Sequence, residues 1–164
     1  MKCALILPVM LFSAAVAFGQ EEVYFDYVSY GKDITMVIPL FEEPLDHDRP
    51  VEKFIVQDEK KVEKYLDSLL VQCFTPEELR RLGVDHHTAA SSVLVYADAT
   101  GKISYIQFIL RGNDKLIATD RKLYRLYQLL KESGIDPAWG RLAVPVSEPE
   151  ICMAVGFKMF RKSE

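Results

Sequence analysis

The stretch SSVLVYADATGKISYIQFIL, from Ser91 to Leu110, constrains this chain most. Apolar and polar residues alternate on both sides of DATGK, the period of a strand with one buried face. Val93, Val95 and Ala97 fall on one side of the first run, and Leu94 with Tyr96 on the other. In the second run, Ile103 and Tyr105 are expected on one face, and Ile106, Phe108 and Leu110 on the opposite one. Asp98 can accept a backbone N–H two residues on, and Gly101 suits a positive φ, so DATGK reads as a hairpin turn. A half-buried hairpin needs helices or further strands to cover it.

The rest of the chain supplies both. VYFDYVSY, DITMVIPLF and VEKFIVQ, within residues 23–57, read as a hairpin and a third strand, separated by the acidic, proline-flanked EEPLDHDRP. Val62, Tyr65, Leu66, Leu69, Leu70 and Cys73 then follow helical spacing after a cap at Asp58. TPEELRRLG combines an N-cap at Thr75, Pro76 at the first helical position, a capping box completed by Glu78 and a stop at Gly83. A further helix is expected over 120–133, buried through Leu123, Leu126, Tyr127 and Leu130 and ended by Gly134. ICMAVGFKMF places Ile151, Met153, Val155, Phe157 and Met159 on one face of a last strand. The fold class is therefore α+β, an antiparallel sheet with helices packed on one face.

The first residues bear on location. Met1 and Lys2 precede an apolar run from Cys3 to Phe18, and small residues at Ala15, Ala17 and Gly19 lead into Gln20-Glu21-Glu22. This is the pattern of a secretory signal peptide, and the run falls short of the roughly 20 apolar residues that cross a bilayer. The expectation is a signal peptide over 1–19 and a single domain over 20–164, divided into 20–74 and 75–161. After removal of the signal the protein is expected to be periplasmic or secreted, and not membrane-anchored. With 164 residues, 49% of them hydrophobic, the chain is long enough for one core, and its net charge of −4 argues against nucleic acid as a partner.

Loss of Cys3 with the signal would leave Cys73 and Cys152, either joined in one disulfide or buried as separate thiols. Catalytic patterns are sparse. Ser29-Tyr30-Gly31-Lys32 fits S-x-x-K, but that chemistry needs both residues on a helix, and glycine between strand-like flanks marks a turn. Asp46-His47-Asp48 and Asp85-His86-His87 gather ligand types without metal-site spacing, so neither a metal nor another cofactor is expected. Tyr24, Tyr27 and Tyr30 crowd the start of the mature chain and form the alternative site, one for a small ligand.

From Thr75 to about Arg161 the order of short helix, hairpin, helix and strand resembles the C-terminal domain of TonB-type energy transducers. The likeness rests on PEELRRLG, VLVYADATGKISYIQFIL, LYRLYQLLKESGIDPAW and the final ICMAVGFKMF. Residues 23–74 have no counterpart in it. That family's open sheet edge captures an extended segment of a partner protein. The resemblance implies the same for Ile151, Met153, Val155, Phe157 and Met159, with an envelope protein or peptide as the partner and no enzymatic activity.

Overall fold

A computed structural model describes residues 22–43, 51–83, 90–142 and 152–159. Among them is one seven-stranded sheet in the order β1-β2-β5-β4-β7-β3-β6. Its strands are β1 (Phe25–Tyr30), β2 (Ile34–Pro39), β3 (Val51–Val56), β4 (Ser92–Ala97), β5 (Ile103–Arg111), β6 (Gly140–Leu142) and β7 (Cys152–Lys158). Four helices accompany it: α1 (Glu59–Leu70), α2 (Pro76–Arg81), α3 (Asp114–Ile117) and α4 (Asp120–Ser133). A single 3-10 turn follows at Pro137–Trp139.

Local chemistry sets the boundaries where it was read. The Asp58 carboxylate accepts from Lys61 N–H at 3.1 Å and starts α1. Around α2, Thr75 and Glu78 satisfy each other's backbone N–H groups in a capping box. In the hairpin turn, one oxygen of Asp98 takes the N–H groups of Thr100 and Lys102 and the Thr100 hydroxyl, while Gly101 sits at φ +87°. The β4–β5 ladder deviates from simple alternation at one place. Its register passes from Tyr96↔Tyr105 to Ala97↔Ile103, so Ser104 is a bulged residue. The bulge turns Ile103 onto the same face as Ile106, Phe108 and Leu110, while Tyr105 faces away against Tyr96. The expected pairing of Ile103 with Tyr105 on one face is thereby corrected.

The helices cover one face. Val37, Val93, Val95, Ile106 and Phe108 are wholly buried there against Leu66 and Leu69 of α1 and Leu123, Leu126 and Leu130 of α4. Each such side chain contributes about 1.5–3 kcal/mol before entropy is set against it. Tyr65 ties the two long helices: its hydroxyl donates to the Gly134 carbonyl at 2.7 Å, and its ring packs against Trp139. Burial pushes that hydroxyl's pKa up to about 12. A second tie is polar. Asp114, 4% exposed, accepts from Gly83 N–H at 2.9 Å and from the Ser91 hydroxyl at 2.7 Å, joining α3 to the end of α2 and the entry of β4.

The α+β class and the one-sided helices stand, but the sheet is mixed rather than antiparallel. β3 and β7 run parallel, with Val51↔Cys152, Glu52↔Met153 and Lys53↔Ala154. The short β6 and the α3 turn were not legible in the sequence.

Candidate interaction surface

Position in the sheet decides what the last strand can do. β7 pairs with β4 from Met153 to Lys158 and with β3 from Cys152 to Ala154. In the sheet order β7 lies between β4 and β3, so the expected open edge is corrected at Met153, which is paired on both sides, while Val155 and Phe157 are paired to β4. Their backbones lie opposite Ala97, Val95 and Val93. Met159 is buried in the core, where its N–H donates to the Ser91 carbonyl at 2.8 Å. Ile151 lies outside the described residues. The order of the sheet was invisible to residue alternation, which reports faces and not neighbours.

The sheet ends instead at β6, three residues long, and at β1, six residues long and paired without interruption to β2. Leu40 N–H donates to the Tyr24 carbonyl at 2.9 Å, and antiparallel ladders alternate bonded with unbonded pairs. Phe25 faces Pro39, which has no N–H, so the outward backbone groups of β1 belong to Phe25, Tyr27 and Ser29. Tyr27 N–H confirms the alternation by turning to the Asp26 carboxylate at 2.9 Å. Sheet edges are usually blunted by lysine, proline or a bulge. β1 has none of these, and Asp26 is the one charged residue along it.

The tyrosine set divides. Tyr24 and Tyr27 both reach the first turn of α4, where Asp120 accepts from Tyr24 N–H at 2.6 Å and from the Tyr27 hydroxyl at 3.0 Å. Burial, followed by the Asp120 contact, raises the Tyr27 pKa well above its ordinary value. Tyr24 stacks on Tyr124 at 3.9 Å, and Phe41 stands edge-on to Tyr124 and Tyr127. These rings pack on one another as a clasp between β1 and α4, with Tyr27 and Phe41 still exposed. Tyr30 stays apart, at the far end of β1 on the face away from the helices, 54% exposed. Next to the clasp, Lys131 pairs with Glu42 at 2.8 Å and lies over the Tyr127 ring. The buried Tyr127 hydroxyl lies near the Glu42 carboxylate without hydrogen-bond geometry, and burial together with that carboxylate raises its pKa.

The face of the sheet opposite the helices is the feature the sequence concealed most. Met36, Ile38, Leu94, Tyr96 and Ile109 form its middle, half-buried by their neighbours and absent from the core packed under the helices. The core-forming helices pack on the other side, so among the described residues no helix covers this apolar face.

Among the described residues, the chemistry-bearing side chains singled out in the sequence do not converge. Ser29 is in β1 and Lys32 in the turn after it, so the S-x-x-K spacing is not carried on a helix. Among the described residues no group of three or more His, Cys, Asp or Glu side chains could hold a metal. The two histidine clusters, at 46–48 and 85–87, lie outside the described residues. No described helix is long and apolar enough to cross a membrane. Cys73, just past α1, carries a free thiol rather than half of a bridge to Cys152. Burial pushes its pKa up from an ordinary value near 9 to about 11. Its alkylation rate should therefore still be rising at pH 10, with a midpoint near 11; a midpoint below 9 would contradict the burial. Because the folded-state pKa is the higher one, this thiol favours the folded chain below pH 9 and loses that contribution as pH rises towards 11.

No family model, curated protein or solved structure matches the chain.

Proposed function

We propose that this protein is a non-enzymatic binding domain that works outside the cytoplasm, after loss of residues 1–19, by adding an extended segment of a partner protein to its sheet. The observation that carries the proposal is the regular six-residue edge of β1, guarded by Asp26 alone. An extended peptide would take up the outward N–H and C=O groups of Phe25, Tyr27 and Ser29, displacing Asp26 from Tyr27 N–H. Exposed Tyr27 and Tyr30 offer side-chain contacts on the two faces of the added strand. The resemblance to the energy-transducer domain supports strand capture as a mode of binding, while the capturing strand here is β1 in place of β7, which lies between β4 and β3.

Ser29→Pro tests this directly. The N–H of Ser29 points away from β2, so proline removes an outward donor and leaves the internal ladder intact, as edge strands tolerate. Envelope extracts passed over wild type and the Ser29→Pro protein should yield a partner held by the first and lost, by about tenfold or more, from the second. A partner retained equally by both, with matched circular dichroism, would remove β1 from the binding site.

A further inference from the structure

We propose that the sheet face left free by the described helices packs on the same face of a second copy of this chain, with the twofold axis parallel to the strands. This surface is distinct from the β1 edge, because it uses side chains above the sheet and leaves the outward backbone groups of β1 free.

The occupant is named by where the charges sit. Val28, Met36, Ile109, Ser92 and Lys158 are successive partners across the sheet and form one row on this face. Two residues along each strand the level carries Asp26 on β1 at one end and Leu94 with Gly156 towards the other. The level beyond carries Tyr96, Ala154 and Lys53. One end of the face therefore bears an exposed carboxylate, and the other bears two exposed lysines on the levels either side of it. Between those lysines stands exposed Gly156, whose surroundings within 4 Å are empty where a side chain would begin.

A twofold rotation about an axis parallel to the strands exchanges the two ends of the face and keeps the levels. It brings Asp26 of each copy over the Lys53 and Lys158 end of the other, twice in one interface. Rotation about an axis across the strands would set Asp26 on Asp26 and lysine on lysine, which like-charge repulsion disfavours. The centre then buries Met36, Ile38, Ile109, Leu94 and Tyr96 of both copies, in the manner of two sheets stacked about 10 Å apart with strands roughly aligned.

Sedimentation equilibrium of the exported protein, up to about 100 μM, tests the pairing. The wild type should dimerise. Lys158→Asp, an exposed change, should weaken the dimer about tenfold or more, and so should Asp26→Lys. The triple reversal Asp26→Lys, Lys53→Asp, Lys158→Asp should recover most of the loss. Ile109→Lys, in the middle of the face, should abolish dimerisation with the circular dichroism spectrum unchanged. A wild type monomeric throughout the range overturns the proposal. So does a dimer indifferent to the single charge changes, or a triple reversal weaker than either single variant. Ser29→Pro should leave the dimer intact, so failure of the strand-capture reading and failure of this one are read separately.

Discussion

Phe108→Ala is expected to lower the free energy of unfolding by about 3–5 kcal/mol, the range for a buried aromatic whose cavity does not collapse. Phe108 is fully buried and stands between Val37 on β2 and Val93 on β4 in the ladder. Its ring meets Phe25 edge-on at 5.8 Å, and Phe25 in turn meets Phe41 and Tyr127. Strands bonded on both sides hold the backbone of β5 in place, so neighbouring side chains cannot move in to refill the space. The loss should appear as a shift of the urea midpoint at unchanged slope. Leu116→Ala, at an exposed helix position, should stay within about 0.5 kcal/mol and serves as the control. A Phe108→Ala loss no larger than the control would mean that β5 is not at the centre of the core.

The second large effect is at Gly101, where backbone meets backbone. Gly101 takes φ +87°, and its carbonyl accepts from Ile135 N–H at 2.8 Å, clasping the hairpin turn to the end of α4. A Cβ there would lie 1.7 Å from the Ile135 carbonyl oxygen. Alanine incurs a left-handed backbone cost of about 1–2 kcal/mol and must also push the turn off the helix end. The total expected is about 3 kcal/mol or more, once overpacking of about 1–3 kcal/mol is included. Gly31→Ala separates the two contributions, since Gly31 has φ +69° but nothing within 4 Å of its Cβ site. It should cost only about 1–2 kcal/mol. Equal losses at the two glycines in thermal melts would show that the clasp carries no weight.

What could be read from the sequence was what neighbours along the chain decide. Asp98 and Gly101 specify a turn by themselves, as do Thr75, Pro76 and Glu78 a helix start, and all behave as expected. The buried stripe of α4 follows from 3.6-residue spacing alone. Strand order is a different kind of quantity. Alternation in ICMAVGFKMF states that the strand has two faces, but nothing in it records that β3, a hundred residues earlier in the chain, lies alongside. Alternation alone therefore points to β7 as an edge, whereas the sheet ends at β1 and β6. The bulge at Ser104 is likewise invisible to alternation, because one extra residue shifts a face without altering composition. Of the tyrosines, Tyr24 and Tyr27 were legible as a group and Tyr30 was not legible as separate, because the partner that sorts them, Asp120, is on a distant helix.

The parallel pair of β3 with β7 also sets a timetable. Val51 finds its partner in Cys152, so the ladder that joins β3 to the rest of the sheet closes only when nearly the whole chain is available. Bringing ends so far apart together carries a loop-closure cost before any contact rewards it. The hairpins β1–β2 and β4–β5 can form early, but β3 and β6 stay detached from them until β7 arrives between. A nascent chain therefore cannot finish folding from its first half, and a chain cut short before Cys152 loses a strand from the interior of the sheet rather than one from its rim.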